Sequence, residues 1–583
     1  MNTQSTLFQK HNLISETGFR IKVALFVIKR SLANATVAHI PAFKNENKLN
    51  DSPIISSSQS ELWNADDSES NWILTAGKIE NLRIAAQKLN GLEVKAGNIF
   101  SFWKHVGAPL SSRGFVIGRE IREGCIVPTV AGGLCQLSNA LYDAALGAGF
   151  EIIERHRHTK VIKGSLAEHD RDATVKWNYI DLRFKPNCDF KIVIDFTPQK
   201  LIVSFKGIKT NSIVQPGKHI TSASKLNDCY SCGNTGCFKH PGETVLNTQK
   251  QTTTFILDEN WPEYDGYIKS TANQQDFFIV PFTPNQRFKI PRYSWDIQKR
   301  LHRIYSLTAF KRALAIRFAG KFKGNIPSAY LKYDSHIVNS FKKSIPLTTT
   351  HIVIAQNLLP FAWQHGLLWG RTFDILMTRL PMELLQQQLD DAHLTHTYSK
   401  TLNDFRADKD LVELENLALT KARHIITPHQ HIADIFNNKS IKLNWVQPQL
   451  QPVDNLGGNK VLFPASALAR KGAYEIKKLA VELNLDLVVL GHATETDNFW
   501  QDVNVSFTQT NIFKDIKLVI LPAYIEHQPR LLLKALALNI PVVATPACGI
   551  QPTENLTIVP VGNYDALKNA VQNIYMAREV EIA

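Results

Sequence analysis

The C-terminal half of this 583-residue chain is built from short apolar runs that alternate with segments of helical periodicity. Nine such runs follow one another from Thr252 onward, namely TTTFIL, DFFIVP, THIVIA, FDILMT, ARHIIT, VLFPAS, LDLVVLG, IKLVILP and IPVVATP. Near-continuous apolar strands between helices are typical of parallel sheets that are covered on both faces. We therefore expect an α/β fold here, with enough chain for two Rossmann-like domains at 251–455 and 456–583.

The first 250 residues follow a different pattern. Residues 1–70 include a polar, serine-rich stretch and are expected to form an arm or linker. Residues 71–207 combine segments of helical periodicity with segments that are rich in β-branched residues and alternate apolar with polar positions. This combination predicts an α+β domain. Residues 208–250 read as a linker with a cysteine-rich insert. Because a single core rarely grows beyond ~250–300 residues, we expect a multidomain protein.

The chain carries a net charge of +14, which favours anionic partners such as lipid surfaces and phosphates. No basic stretch alternates with stacking aromatic residues, so nucleic acid is not an expected partner. The early apolar run VALFVI is too short to span a bilayer. Seven cysteines, three of them clustered, suit a metal site in a reducing compartment. We expect a cytoplasmic protein, with a peripheral place at the inner membrane as the further alternative.

Cys135 lies where a glycine-containing loop gives way to a helix-like pattern in GGLCQLSNALYDAAL. A thiol at a helix N-terminus faces unpaired N–H groups, which favour the reactive thiolate. His156 and His158 lie two positions apart on a predicted strand, so their side chains would share one face, and Asp172 follows. Cysteine, histidine and a third polar residue form the layout of cysteine acyl-transfer sites. Alternatively, Cys135 is a small buried residue and a histidine is structural.

Three segments around these residues resemble the VanW family, which is associated with vancomycin-resistance clusters. They are NLRIAAQKLNGLEVKAGNIFSFWKHVG, GREIREGCIVPTVAGGLCQLSNALYDAALGAGFEIIERHRHT and RDATVKWNYIDLRFK. The resemblance covers about residues 72–205 and keeps the family's order of motifs. It implies that Cys135, His156 and Asp172 belong to one site, and it names no reaction.

A compact cluster in CYSCGNTGCFKH places Cys229, Cys232, Cys237 and His240 within twelve residues. Three thiolates and one imidazole are a complete tetrahedral set for Zn²⁺, and a closed set of this kind is structural. An iron–sulfur cluster is the alternative metal centre, because thiolates also bind iron. A redox dithiol or plain loop cysteines are the alternatives without metal.

The last domain contains a strand, a loop and a helix in VLFPASALARKGAYEIKKLA, with Arg470, Lys471 and Gly472 in the loop. A cation beside a helix N-terminus suits a phosphate group. Glu526 follows a later strand in LVILPAYIEHQPRLLLKALALNIPVVATPACGI. The alternative is a doubly wound domain without a ligand, in which the Arg–Lys pair is solvated.

These two segments resemble the C-terminal domain of GT-B glycosyltransferases of family 4. The resemblance implies a nucleotide-sugar donor held by Arg470, Lys471, Gly472 and Glu526, with Lys471 at the diphosphate. The family carries a second glutamate eight positions after the first, at the place of Lys534. Lysine accepts no hydrogen bonds, so the contact to the ribose hydroxyls is lost at this position. The arginine that often follows the family's strand is also absent from FPAS.

Residues 299–324 contain eight lysines and arginines and no acidic residue. Their apolar residues can line one helical face, and they are Leu301, Ile304, Tyr305, Phe310, Leu314 and Phe318. This combination suits an anionic bilayer surface or a lipid-linked acceptor. The alternative is an ordinary surface helix that packs its apolar face on the sheet. In the same domain, a loop with His365 is expected to face the acceptor.

Three functions remain open on these observations. The first is a VanW-family fusion with a hexosyltransferase-like activity, which transfers sugar from a nucleotide donor to an envelope or surface-glycan acceptor. The second is cysteine-dependent acyl transfer or a peptidoglycan-related VanW activity, with the GT-B half as a glycan-binding scaffold. The third is a non-catalytic scaffold in which both halves bind glycan or nucleotide.

Overall fold

The computed structural model describes residues 13–36, 40–63, 69–122, 125–158, 166–208, 251–284, 290–297, 300–321, 326–399, 401–449, 458–508 and 510–580. The chain divides into two compact units. The first contains Met1–Thr252, Ile345–His351 and His365–Thr372, and the second contains Thr253–Ser344, Ile352–Gln364 and Phe373–Ala583. The metal cluster predicted at Cys229, Cys232, Cys237 and His240 lies outside the described residues.

The first unit is α+β, as predicted. Its helices are α1 (Leu13–Thr36), α2 (Glu69–Leu89), α3 (Phe102–Val106) and α4 (Cys135–Gly147). Its strands are β1 (Ile54–Glu61), β2 (Glu93–Val94), β3 (Phe100–Ser101), β4 (Ile117–Arg122), β5 (Cys125–Val130), β6 (Glu151–Glu154), β7 (Arg183–Lys185), β8 (Phe190–Phe196) and β9 (Lys200–Gly207).

Antiparallel pairing organises these strands into two small sheets and a hairpin. The sheets have the orders β1-β9-β8-β2 and β3-β7-β6, and β4 pairs with β5. Strand β1 pairs with β9 over seven residue pairs, although its sequence lies within the segment expected to be an arm. The expectation of a loose arm is therefore wrong for Ile54–Glu61, in which residues 56–61 are all polar and show no alternation that would indicate a strand.

The core of the first unit is a cluster of phenylalanines between the sheets and α4. The rings of Phe150, Phe190 and Phe205 lie 4.6–5.7 Å apart, and all three side chains are buried. Helix α4 contacts β1 and β9, and its Leu137 and Leu141 are buried. This packing fixes the position of the helix that begins at Cys135.

The second unit contains two parallel sheets with their flanking helices, which we call the first and second α/β layers. The first α/β layer has helices α5 (Pro262–Thr271), α6 (Ser306–Lys321), α7 (Ile326–Phe341), α8 (Leu359–Gln364), α9 (Met382–Thr395), α10 (Lys409–Lys421) and α11 (Gln430–Ile435). Its strands are β10 (Thr252–Ile256), β11 (Phe277–Val280), β12 (His302–Ile304), β13 (Thr349–Ala355), β14 (Thr372–Leu376), β15 (His424–Thr427) and β16 (Ser440–Lys442).

The second layer holds the C-terminal strands and helices. Its strands are β17 (Lys460–Phe463), β18 (Leu487–Val489), β19 (Val505–Phe507), β20 (Ile516–Leu521), β21 (Val542–Ala544) and β22 (Leu556–Ile558). Its helices are α12 (Ala473–Glu482), α13 (Arg530–Ala537) and α14 (Tyr564–Val580). Each of the nine apolar runs singled out in the sequence overlaps one strand of these two sheets.

Both sheets have the strand order of doubly wound folds. The seven-stranded sheet runs β12-β11-β10-β13-β14-β15-β16, and the six-stranded sheet runs β19-β18-β17-β20-β21-β22. Every pair in the six-stranded sheet is parallel. The order reverses between β10 and β13 in one sheet and between β17 and β20 in the other. Ligands of open α/β sheets bind at the carboxyl ends of strands beside such a reversal.

Candidate functional sites

The loop before Cys135 requires glycine at both of its glycine positions. A Cβ on Gly132 would lie 2.5 Å from the carbonyl oxygen of Gly118, and Gly133 has a φ of +98°. The buried Asn81 side chain holds the loop by donating to the carbonyl oxygens of Gly132 and Val116, both at 3.0 Å. The chain therefore enters α4 along one fixed path, and Cys135 is the first residue of that helix, as predicted.

Helix α4 also fixes the segment that follows Asp172. The hydroxyl of Ser138 donates to the carbonyl oxygen of Ala173 at 2.6 Å, and Asn139 Oδ1 accepts from the Ala173 amide at 2.8 Å. The half-buried Cys135 thiol points at the carbonyl oxygen of Val175, at 3.7 Å. Hydrogen bonds thus join the first turn of α4 to residues 172–175 next to the thiol.

His158 lies between Cys135 and Asp172. Its Nδ1 lies 2.6 Å from Oδ2 of Asp172, and its backbone amide donates to the same oxygen at 2.7 Å. The carboxylate of Asp172 is buried, and Arg155 donates to its other oxygen at 2.7 Å. One carboxylate therefore orients both the imidazole and the backbone of His158.

The pKa values of the pair follow from this geometry. Burial by itself would lower the pKa of His158, but hydrogen bonds to Asp172 and Cys135 outweigh it and raise that pKa to about 10. Burial would raise the pKa of Asp172, but the hydrogen bonds from His158 lower it. His158 is thus held as an imidazolium at neutral pH, with Asp172 as its carboxylate partner.

His156 and His158 do not share a face of a strand, and that expectation is wrong. Strand β6 ends at Glu154, so both histidines lie beyond it. The Nε2 atom of His156 lies 3.4 Å from Glu154, which Arg30 also contacts at 2.6 Å. His156 thus contacts the carboxylate of the Arg30–Glu154 ion pair, whereas His158 is hydrogen-bonded to the thiol.

Arg155 is the residue at this site that sequence reasoning missed. Its guanidinium lies over the ring of Tyr142 at 5.0 Å and donates to side-chain oxygens of both Asp170 and Asp172. A buried arginine needs carboxylate partners, and the sequence ERHRH does not show which of its residues is buried.

The second site lies where the order of the six-stranded sheet reverses. Lys471 follows β17, Glu526 follows β20, and the Lys471 ammonium lies 2.9 Å from the Glu526 carboxylate. Lys471 also donates to the carbonyl oxygen of Ile525 at 3.0 Å. Gly472 has a φ of +79°, and a Cβ there would lie 2.4 Å from the carbonyl oxygen of Pro522. The structure brings the predicted lysine and glutamate together.

Glu526 is held as a carboxylate. Burial would raise its pKa, but the charge of Lys471 and backbone hydrogen bonds lower it. The amides of His527 and Gln528 both donate to Oε1 at 2.9 Å. His527 remains neutral, since burial and then the nearby Lys471 charge lower its pKa to about 3.

A cavity of about 450 Å³ opens beside Glu526 in the second unit. Its walls include residues that follow β10, β13 and β20, among them Asp258, Glu259, Gln356, Asn357, Glu526, His527 and Gln528. The carboxyl ends of both sheets at their reversal points therefore face one space. Aromatic residues complete the walls, namely Trp261, Tyr264, Tyr293, Trp295, Tyr330 and Phe405.

Arg470 occupies a neighbouring position without lining the cavity. Its guanidinium lies 3.4 Å from Asp404 and 5.3 Å from the centre of the Phe405 ring. Its carbonyl oxygen accepts from the amide of Tyr524 at 3.0 Å. Arg470 therefore links the β17 loop to the β20 loop.

A buried ionic cluster lies at the cavity wall, and sequence reasoning missed it. Arg312 on α6 donates to Asp258 at 2.6 and 2.9 Å and to Asp334 at 2.5 Å. All three residues are buried. Both aspartates line the cavity.

Lys534 and His365 are not part of the cavity wall. The Lys534 ammonium lies 5.7 Å from the centre of the Phe513 ring. His365 belongs to the segment His365–Thr372 of the first unit, where its carbonyl oxygen accepts from Gln87 at 2.5 Å. The expectation that the His365 loop faces an acceptor therefore has no support in this geometry.

Metal-binding clusters and membrane-spanning helices are both absent from the described part of the chain. Three or more His, Cys, Asp or Glu side chains never come together there as a metal-binding group. Among the helices described, none is both long and apolar enough to cross a bilayer.

The VanW family model, described as "VanW like protein", matches residues 77–206. The vancomycin B-type resistance protein VanW of Enterococcus faecalis is 31% identical over 141 residues, which are 22% of this chain and 49% of that protein. The uncharacterized protein YoaR of Bacillus subtilis is 32% identical over 114 residues, which are 20% of this chain and 37% of that protein. The chain thus spans half or less of the length of these curated relatives.

Solved structures similar to this chain include several glycosyltransferases. Sucrose-phosphate synthase from Thermosynechococcus elongatus is 11% identical, with a TM-score of 0.35 and coverage of 56% of this chain and 90% of that one. The lipopolysaccharide outer core galactosyltransferase WaaB is 12% identical, with a TM-score of 0.32 and coverage of 57% and 91%. The match to the family model marks residues 77–206 as a VanW domain. The two sheets that follow it have the strand orders of doubly wound α/β folds.

Proposed function

We propose that the second unit is a glycosyltransferase that takes a nucleotide-sugar donor at the cavity beside Glu526. The observation that carries this proposal is the Lys471–Glu526 pair, 2.9 Å apart at the reversal point of the six-stranded sheet. A carboxylate there can accept hydrogen bonds from sugar hydroxyls. The neighbouring lysine can neutralise a diphosphate, provided that it exchanges its contact with Glu526 for one with the donor.

The transfer would proceed by attack of an acceptor hydroxyl oxygen on the anomeric carbon. The new carbon–oxygen bond forms as the bond to the diphosphate oxygen breaks, and the nucleoside diphosphate leaves with the electron pair. Lys471 stabilises the charge that develops on that oxygen. The hydroxyl proton leaves to water or to the departing phosphate. The acceptor would be a glycan or a lipid-linked sugar.

Differential scanning with a panel of nucleotide sugars tests donor binding, because a ligand of the folded state raises the midpoint of unfolding. At a donor concentration about 100 times Kd, the stabilisation is about 2.7 kcal/mol. Glu526→Gln should reduce the shift, whereas Glu554→Gln, an exposed carboxylate in the same layer, should leave it unchanged. If no donor shifts the wild-type midpoint, the donor proposal fails.

We also propose a second activity, thiol-dependent acyl transfer in the first unit. The observation that favours it is the His158 imidazole, which is hydrogen-bonded to both Asp172 and Cys135. The Cys135 thiolate would attack a carbonyl carbon to form a thioester, and His158 would give its proton to the leaving amine or alcohol. A second nucleophile would then release the acyl group from sulfur. A peptidoglycan-related acyl donor is the substrate class that the VanW resemblance suggests.

The mass of the intact protein tests this second activity. Incubation with peptide thioesters or peptidoglycan fragments should add an acyl mass to the wild type and none to Cys135→Ala. Cys188→Ala is the matched control, since Cys188 is a buried cysteine of the same unit. Acylation of the Cys135→Ala variant at the wild-type level contradicts the assignment of the nucleophile.

From the spacing of the cysteines in the sequence we propose a structural zinc at Cys229, Cys232, Cys237 and His240, with an iron–sulfur cluster as the alternative. Metal analysis of the purified protein before and after Cys232→Ser tests it. A wild type without metal contradicts the zinc proposal.

We also propose that helix α6 contacts an anionic membrane, close to a lipid-linked acceptor. Its Leu307, Phe310, Leu314 and Phe318 are exposed. Tyr305 and Arg312, in contrast, are buried and do not belong to that surface. Serine at Leu307, Phe310 and Phe318 should weaken binding to anionic vesicles, and unchanged binding contradicts this role.

A further inference from the structure

Helix α1 has one face that packs against the first unit. On this face Arg30 donates to both carboxylate oxygens of Glu154, at 3.0 and 2.6 Å. The ring of Phe26 stacks with Tyr179, with their centres 6.3 Å apart. Val23 and Val27 lie on the same side and are half-buried. The helix is therefore held against the folded unit by a bidentate ion pair and a ring contact.

The opposite face of α1 is apolar and exposed. Ile21, Leu25 and Ile28 are 58%, 61% and 56% exposed. Ile14 and Leu32, also exposed, extend the same row toward the two ends of the helix. These positions are separated by 7, 4, 3 and 4 residues, which places them in one stripe along a helix of 24 residues. Soluble proteins rarely expose a contiguous apolar stripe of this length without a binding partner.

The charges beside the stripe favour an anionic occupant. Lys22 and Lys29 are exposed, and their positions on the helix place both along one flank of the stripe. The sequence of α1 contains four basic residues and one acidic residue, Glu16. The whole chain carries a net charge of +14. Apolar stripe and basic flank together are the features of helices that lie in a membrane interface.

A second copy of the chain fits this face less well. The stripe follows heptad spacing, but Gly18 interrupts it at a position that would face the partner helix. Lys22 and Lys29 would lie beside the seam, and α1 offers a single glutamate to pair with them. Two copies would therefore bring like charges together, whereas anionic lipid headgroups would neutralise them.

We propose that α1 is an interfacial membrane helix that binds anionic lipid headgroups through Lys22 and Lys29 and inserts Ile21, Leu25 and Ile28 among the acyl chains. The stripe lies parallel to the bilayer surface, at a depth of about 5–10 Å. Arg30 and Phe26 on the packed face connect the helix rigidly to the first unit. This site is separate from α6 and does not depend on the glycosyltransferase proposal.

Co-sedimentation of the full chain with vesicles tests the proposal. Vesicles of phosphatidylglycerol and phosphatidylcholine should bind the wild type, and vesicles of phosphatidylcholine alone should bind it about tenfold more weakly. Serine at Ile21, Leu25 and Ile28 should weaken binding to the anionic vesicles about tenfold or more, because the inserted apolar area is lost. Serine at the exposed Ile153 and Ile208 of the same unit is the control.

Charge reversal separates the lysines from the chain's overall charge. Lys22→Glu with Lys29→Glu should weaken binding to anionic vesicles about tenfold, whereas Lys88→Glu with Lys514→Glu changes the net charge equally and should have a smaller effect. Hydrogen exchange should show vesicle-induced protection of the amides of 13–36. Circular dichroism identifies any variant that has lost its fold.

Three results would overturn the proposal. The triple serine variant could bind anionic vesicles as tightly as the wild type. Protection could occur in α6 and be absent from α1. Light scattering could show that the wild type is an oligomer, that the triple serine variant is a monomer, and that neither binds vesicles, which would assign the stripe to a second copy.

Discussion

Nδ1 of His158 lies 2.6 Å from Oδ2 of Asp172, and the same carboxylate oxygen accepts the backbone amide of His158 at 2.7 Å. The imidazole is thereby fixed in position and in charge. Asp172 in turn is fixed by Arg155, so the site consists of a thiol, an imidazolium, a carboxylate and a guanidinium in series. Each side chain in this series contacts the next one, so substituting one residue at a time tests what each contributes to the site.

The raised pKa of His158 predicts a pH dependence of stability. Its pKa is about 10 in the folded state and about 6.5 in the unfolded state, so the folded state binds the proton more tightly. This contribution to the free energy of unfolding is fully present below the unfolded value and is lost as the pH rises through the folded value. Asp172→Asn should reduce it. The difference between the calorimetric midpoints of wild type and variant should therefore be largest below about pH 6.5 and shrink as the pH rises towards 10. The part that remains at pH 10 comes from the lost Arg155–Asp172 ion pair. A constant difference would contradict the coupling.

The two histidines should differ in their effect on Cys135. His158→Ala removes the imidazolium beside the thiol and should slow iodoacetamide modification of Cys135 about tenfold or more at neutral pH. His156→Ala should leave that rate within about twofold. The rate is measured by mass spectrometry on the peptide that contains Cys135. A wild-type rate in the His158→Ala variant would show that His158 does not activate the thiol.

Sequence reasoning reached Cys135, His158 and Asp172 but neither Arg155 nor the arrangement of the four residues. Cys135 was predictable because glycines and a helical pattern mark a helix start. Choosing between His156 and His158 required the end of β6, and a strand boundary depends on pairing with β7, which is distant in sequence. Arg155 was missed because its role depends on burial, which the identity of a residue does not reveal.

In the second unit, too, some strands could be predicted from the sequence and others could not. The nine apolar runs correctly predicted interior strands, because such strands are buried on both faces and are therefore apolar throughout. The four strands β12, β16, β19 and β22 were missed, and they are the outer strands of the two sheets. An outer strand has few buried side chains, as in His302–Ile304, where no residue is buried. Such a strand is defined by pairing with its neighbour, and periodicity does not show it.

Removing the guanidinium of Arg312 should destabilise the second unit strongly. Arg312→Met leaves Asp258 and Asp334 as neighbouring buried carboxylates, and breaking a buried pair in this way costs about 3–5 kcal/mol. Arg317→Met on the same helix changes an exposed residue and should cost less than about 0.5 kcal/mol. Denaturant unfolding measures both. Adding Asp334→Asn to Arg312→Met should recover part of the loss, since one buried charge is then removed.

Lys534 should be dispensable for donor binding. Its ammonium lies over Phe513 and outside the cavity wall, and it accepts no hydrogen bond from a ribose. Lys534→Ala should therefore leave the donor-induced shift of the unfolding midpoint unchanged while lowering stability by about 0.5–1 kcal/mol. For the same reason, nucleotide sugars and their 2′-deoxyribose analogues should produce equal shifts. A clear preference for ribose would mean that another residue has taken over the missing contact.

The turn at Gly472 should tolerate no side chain, in contrast to a second glycine of the same unit. Gly472→Ala places a Cβ 2.4 Å from the carbonyl oxygen of Pro522 at a φ of +79°, so backbone strain and a clash coincide. We expect a loss of about 2 kcal/mol or more, since the left-handed conformation alone costs about 1–2 kcal/mol. Gly266 lies within α5, where an added Cβ would meet no atom within 4 Å, so Gly266→Ala should stabilise by about 0.5–1 kcal/mol. Denaturant midpoints of the two variants should move in opposite directions. Movement in the same direction would show that the loop carrying Lys471 can relax, and that its tight turn does not fix the lysine beside Glu526.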